Sequence, residues 1–463
     1  MAQPLSQPAL QRPPNPALQA LRPVLPILLG ASLLLSLAMG LRQSLGLFMP
    51  AITREVGVSV ADFTLAIALQ NAVWGLLQPV AGALAVRIGF RRIMLSGAAL
   101  YLLALLVLAQ AHSLAGVMLG AGVMVGAAMA CTGSAIGMAV AARSVSAASR
   151  SMVLGMVSAA GSLGALVAAP LGQGLLQAWG WRAGVLGFAL LAALMLPAAW
   201  LAGRTDAQPL PPAPTGADGQ AVINGLDGKS ARQAVLAALR TPPFLVMAAA
   251  YFVCGMQLVF ITTHLPAYLA VCGQSPMLGA QALGLIGGFN VLGSLFFGWA
   301  GGRYNKGVLL GAIYICRSIV LAAYFMAPPT PQSTWLFAGL MGFLWLGVAP
   351  LVSGAVAVMF GLRWQAMIQG LAFFSHQMGS FLGAYGGGLL YDRLGSYGLA
   401  WRVGVALGLG AGLVQVLAAL ARPPGQPPGP QPNRQPGQPP GGQRWASASP
   451  PSAMPSSATP ATP

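Results

Sequence analysis

Long apolar stretches alternate with short breaks of charged residues, Pro or Gly, and the pattern repeats twelve times along the chain. The apolar runs cover roughly 24–48, 63–85, 93–110, 114–141, 152–177 and 183–202, then 244–268, 279–301, 308–327, 334–360, 366–390 and 399–421. A helix that crosses the hydrocarbon core of a bilayer needs about 20 mostly apolar residues. Each run therefore predicts one spanning helix, and together they predict an all-α membrane protein. The polar stretches divide the chain into an N-terminal tail at 1–23, a six-helix bundle at 24–202, a linker at 203–242, a second six-helix bundle at 243–422 and a Pro-rich tail at 423–463. The tails and the linker read as disordered or loosely ordered. The first run continues past the small-residue site Ala38-Met39-Gly40 to Met49 and carries Arg42 and Gln43 near its far end. It is expected to remain as span 1 and not to be cleaved as a signal peptide.

Composition supports this reading. Of 463 residues, 56% are hydrophobic and 6% charged, with a mean hydropathy of +0.73, whereas a soluble domain has about a quarter of its residues charged. A water-soluble enzyme is excluded. The 23 Lys and Arg against 6 Asp and Glu give a net charge of +17, and topology accounts for most of it. With the amino terminus in the cytoplasm, only Arg54, Arg182, Arg393 and Arg402 fall outside, and Arg42 and Arg317 fall within the membrane. Every other basic residue lies on the inner side, as the positive-inside bias requires, so both termini are expected in the cytoplasm and no nucleic-acid surface is implied. The richness in Ala, Gly, Leu and Arg suggests GC-rich coding, hence a bacterial inner membrane.

Two short matches relate the halves. Gly82 to Arg87 recurs as Gly298 to Arg303, after the second span of each half, and Trp181-Arg182-Ala183-Gly184 recurs as Trp401-Arg402-Val403-Gly404, entering the sixth. Parallel six-span halves place a substrate between them near the midplane. The fold expected is thus twelve transmembrane helices in two pseudo-symmetric halves. Cys131, Cys254, Cys272 and Cys316 show no CxxC spacing, and His112, His264 and His376 form no local metal motif, so neither metal nor cofactor is expected.

The segment Gly82-Ala83-Leu84-Ala85-Val86-Arg87-Ile88-Gly89-Phe90-Arg91-Arg92 resembles the loop motif between spans 2 and 3 of the major facilitator superfamily. The resemblance implies a conformational role for Gly82, Arg87, Gly89, Arg91 and Arg92, and for Arg303 in the second-half counterpart. The family pattern has an acidic residue where this chain has Val86, and again where it has Gly302. Arg42-Gln43-Ser44-Leu45-Gly46-Leu47-Phe48 and Ser375-His376-Gln377-Met378-Gly379 resemble the monocarboxylate and oxalate/formate branch, which implies a small organic anion as substrate.

Polar residues within the spans carry the chemistry. An Arg at mid-bilayer costs about 2.5–3.5 kcal/mol on insertion scales, so it normally faces a cavity or a partner. Arg317 lies near the middle of span 9, and Arg42 lies ~9 Å from the middle of span 1 toward the outer face. Asn71, Trp74 and Gln78 share one face of span 2, as do Gln257, Phe260 and His264 on span 7. Asn290 sits mid-span 8, and His376 and Gln377 sit mid-span 11. The candidate substrate-binding residues are therefore Arg42, Gln43, Asn71, Trp74, Gln257, Asn290, Arg317, His376 and Gln377, with each amide equally suited to bridging helices. No Asp or Glu lies well inside a span, which argues against a buried carboxylate proton relay and for an anionic substrate.

The function expected is secondary active transport of a small organic anion by alternating access, by a monomer in the lipid bilayer. The alternatives are efflux of hydrophobic drugs or metabolites and a non-transporting receptor or scaffold. No paired carboxylates, Ser-His-Asp set or metal cluster with workable spacing points to an enzyme.

Overall fold

A computed structural model describes residues 22–210, 225–226 and 228–421. The expectations for the two tails, apart from Arg22 and Pro23, and for the middle of the linker lie outside the described residues. Among the described residues, ten segments are long and apolar enough to cross a membrane. One of them, Ala147–Ala207, holds two spans, because Gly180 leaves the helical region at φ 80°, ψ 173°. One further helix, Gln365–Leu394, is long enough but less apolar. The total is the twelve that the hydrophobic pattern predicts. In order, span 1 is Arg22–Val56, span 2 Val60–Ile88, span 3 Phe90–Ala109 and span 4 Leu114–Ser144. Spans 5 and 6 lie on either side of Gly180. Span 7 is Pro242–Val271, span 8 Pro276–Ala300, span 9 Lys306–Phe325, span 10 Pro331–Phe360, span 11 Gln365–Leu394 and span 12 Gly398–Leu420.

Several helices outrun their apolar stretches, because helices end where capping ends them and not where hydrocarbon does. Span 2 starts at Val60 and not 63, where Ser59 Oγ accepts from Asp62 N (3.0 Å) and the Asp62 carboxylate accepts from Ser59 N (3.1 Å). Such a reciprocal pair satisfies two backbone donors at once. Thr330 and Ser333 do the same for span 10. The linker also departs from the loosely ordered stretch expected. Ser230 and Gln233 cap a helix at Ala231–Leu239 that buries Ala234 and Ala238, and the Trp364 indole donates to Lys229 O at 3.2 Å.

Glycine sets how near the helices come. In lipid, association relies on close backbone packing, which small residues permit. A Cβ on Gly126 of span 4 would lie 2.6 Å from Gln70 O of span 2, and one on Gly387 of span 11 would lie 2.6 Å from the Phe260 ring of span 7. Between the halves, a Cβ on Gly82 would lie 2.5 Å from Met367 N, one on Gly370 2.8 Å from Pro79 N, and one on Gly155 2.6 Å from Gly298 Cα. Ser158 and Ser294 hydroxyls meet at 3.3 Å. These contacts lie on the half of the bundle nearer the chain ends. Among the described residues, every hydrogen bond between spans of opposite halves lies there or at the level of Asn71 and Gln377, so the halves close on that side.

The loop motif contributes to this closure without an acid of its own. Gly89 adopts φ 95°, a left-handed conformation that disfavours side chains, and the missing carboxylate is supplied from after span 6. Asp206 accepts from Phe90 N and Arg91 N, each at 2.9 Å, at the amino terminus of span 3, where the helix dipole favours a negative charge. Arg87, Arg92 and Arg303 are exposed, and Arg303 lies 4.4 Å from the centroid of the Trp299 ring.

Candidate functional site

The polar residues of spans 1, 2 and 11 converge at the level where the halves last touch. Arg42 Nη2 donates to Asn71 Oδ1, and its guanidinium lies over the Trp74 ring, 5.0 Å from the centroid, within the range of a cation–π contact. Across the interface between the halves, Gln377 Nε2 donates to Asn71 O at 3.1 Å and to Asn71 Oδ1 at 3.3 Å. Asn71 Oδ1 therefore accepts from both sides. His376 Nδ1 lies 3.3 Å from Gln377 Oε1 and 3.4 Å from Ser380 Oγ.

Aromatic rings close around these groups. Trp74 packs on Phe373 at 4.5 Å, and the His376 ring stacks on Phe373 (5.5 Å, 10° between planes) and tilts against Tyr251 at 4.6 Å. Trp74, Phe373, Gln377 and Tyr251 are buried, while Arg42, Asn71 and His376 keep part of their surface exposed. The polar atoms thus lie over an apolar floor. Gln78 fixes that floor: its Oε1 accepts from Trp74 Nε1 at 2.8 Å, and its Nε2 donates to Ala130 O of span 4 at 2.8 Å.

Among the described residues the guanidinium has no acidic counterpart. Of the described carboxylates, Glu55 takes Arg182 and Trp181, Asp62 caps its own helix, Asp206 caps span 3, and Asp392 lies near the far end of span 11. The ion pair found among the described residues, Arg182 to Glu55 at 2.9 Å, is at the far end of the first half. Arg42 is a cation held by an amide and an indole, which leaves its charge free to attract an anion.

The other candidates are placed elsewhere. Gln43 is exposed and, one residue along, is turned about 100° from Arg42. Gln257 is 2% exposed and donates to Ser318 Oγ (3.1 Å) and Gly404 O (2.8 Å), joining spans 7, 9 and 12. Asn290 Oδ1 accepts from Leu346 N at 2.9 Å, where span 10 breaks between its two helices. Arg317 is 0% exposed, and its Nη2 donates to Cys254 Sγ at 3.3 Å. Sequence reasoning missed Tyr251 and Phe373, because an aromatic residue in an apolar run carries no signal of its own. It named Gln78 on the right face but not its role; the i, i+4 spacing from Trp74 was the available clue.

Comparison with known proteins gives a consistent result. The Major Facilitator Superfamily model matches residues 31–384. The uncharacterized MFS-type transporter YcxA of Bacillus subtilis (strain 168) is 26% identical over 151 residues, 32% of this chain and 36% of that protein, so the match spans about a third of the relative's length. Among solved structures, the E. coli fucose:proton symporter FucP in the outward conformation superposes with a TM-score of 0.63 at 15% identity, over 85% of this chain and 97% of that one. The human organic anion transporter MFSD10 (TETRAN) superposes with a TM-score of 0.61 at 17% identity, over 88% of this chain and all (100%) of that one. The chain belongs to the major facilitator superfamily: it is a multi-pass membrane transporter, not an enzyme.

Proposed function

We propose that this transporter moves a small, monocarboxylate-like organic anion across a bacterial inner membrane, by alternating access between bundles 24–202 and 243–422. Both termini are cytoplasmic in this reading, so closure on the terminus side is an outward-facing state and the Arg42 site receives substrate from outside. One observation carries the proposal: Arg42 is a lone guanidinium beside the interface between the halves, bonded to an amide that the opposite half also holds.

The chemistry follows from that placement. A carboxylate reaching Arg42 makes a charge-assisted bond stronger than the amide contact it replaces. Asn71 is then released from Arg42 and is held by Gln377 alone, so occupancy of the site acts directly on the bond between the halves. Trp74 and Phe373 pack against the apolar body of the substrate, and His376 offers a polar group at its other end. Gln257 and Asn290 act through the helices they join. A monomer contains all of these parts.

Uptake of labelled monocarboxylates into proteoliposomes tests the proposal. Arg42→Gln is expected to lower transport at least about 100-fold, the effect of removing a charged partner worth about 3 kcal/mol, with Arg42→Lys intermediate. Unchanged KM and rate in Arg42→Gln would overturn the role of Arg42. Absence of monocarboxylate uptake together with broad drug resistance on overexpression would favour efflux.

A further inference from the structure

Arg317, near the middle of span 9, lies like Arg42 in the membrane-spanning part of the chain, and its surroundings differ from those of Arg42. It is 0% exposed in the core of the second half, one turn from Tyr314 on span 9 and against Cys254 of span 7. Its contacts are a bond from Nη2 to Cys254 Sγ at 3.3 Å and the face of the Tyr314 ring, 5.4 Å from Cζ. Arg317 Nε and Nη1 are buried without a hydrogen-bond partner, as is the Tyr314 hydroxyl. Tyr314 and Cys254 are each 1% exposed.

Such an arrangement lacks a charge. A guanidinium stays protonated in proteins, and a buried charge is stable only when paired and hydrogen-bonded. A thiol is a weak acceptor and does not neutralise it, and none of the described carboxylates reaches it. The free groups are donors, two guanidinium N–H positions and a phenol O–H, which is the set that binds an anion. With Arg317, Tyr314 and Cys254 all 0–1% exposed, a dehydrated ion of one or a few atoms suits these donors better than an organic body.

We propose that Arg317, Tyr314 and Cys254 form a binding site for a small inorganic anion such as chloride, separate from the Arg42 site. The anion neutralises Arg317 and ties span 7 to span 9, which stabilises the folded second half. Anything that binds only the folded state raises its unfolding temperature.

The test is thermal unfolding of the purified full-length protein, with chloride titrated against gluconate at constant ionic strength. Wild type is expected to show a saturable rise in Tm with chloride. Arg317→Gln is expected to lose the chloride dependence and to be at least as stable as wild type in gluconate, since it removes an unpaired buried charge. Tyr314→Phe keeps the shape and is expected to raise the half-saturating chloride concentration about tenfold, which reads the site even if Arg317→Gln fails to fold. Arg42→Gln is expected to keep the full chloride response. A wild-type Tm equal in chloride and gluconate, or a chloride response that survives in Arg317→Gln, overturns the proposal. So does a response lost in Arg42→Gln but kept in Tyr314→Phe, which would place the ion at the central site.

Discussion

Trp-Arg enters the sixth span of each half, and the two copies are used in different ways. In the first half Trp181 Nε1 donates to Glu55 Oε2 at 2.6 Å, while Arg182 bonds Glu55 Oε1 at 2.9 Å, Ala109 O at 2.7 Å and Ala111 O at 3.3 Å. That corner ties spans 1, 3 and 6 by hydrogen bonds and charge. In the second half Trp401 is 2% exposed among rings, with Phe325 at 3.5 Å, Phe260 at 4.9 Å and Tyr268 at 6.0 Å. Its indole N–H is buried without a partner, and Arg402 is exposed. This corner ties spans 7, 9 and 12 by packing. An inherited dipeptide keeps its place when its partners change, because a large amphipathic ring can be held by either of two physical forces.

Substitutions at the two corners test this difference. Trp401→Ala should have the largest effect, about 3–5 kcal/mol for emptying a packed aromatic site, seen as a large fall in Tm of the purified protein. A fall of less than a degree would mean that the ring cluster is not what holds the second corner. Next, Arg182→Ala should cost about 1–3 kcal/mol by leaving the Ala109 and Ala111 carbonyls without their donor, whereas Arg402→Ala should stay within about 0.5 kcal/mol. Equal losses at the two positions would erase the distinction. The smallest and most discriminating contrast is Trp181→Phe against Trp401→Phe. Only the first removes an N–H that has a partner, so its Tm should fall further; the reverse order would show that shape and not hydrogen bonding decides both corners.

The same contrast explains what could be read in advance. The Trp-Arg repeat is visible in the sequence, but Glu55 lies 126 residues before Trp181, and nothing local marks the two as partners. His376 and Gln377 could be placed on span 11 by counting, yet the bond from Gln377 to Asn71 crosses 306 residues. From the sequence, Gln257 and Asn290 suit substrate contact and helix bridging equally, because an amide in an apolar run must bond to something. Which partner it finds depends on where neighbouring helices expose a free backbone or hydroxyl group, as Gly404 O and Leu346 N do here. Asp206 shows the same limit: its carboxylate stands where the loop motif lacks one, 116 residues from Phe90.

The sequence by itself determined that twelve helices cross a membrane, the apolar stretch that seeds each one, and that two guanidiniums would be stranded among them with few acids to meet them. Those facts follow from hydropathy and spacing, which act along the chain and need no partner. Tertiary structure alone decided that Arg42 meets Asn71 beside the interface between the halves while Arg317 is sealed within one half. Which side a helix turns to its neighbours is set by close packing among many spans, and a buried cation is defined less by its own residue type than by what packing brings to it.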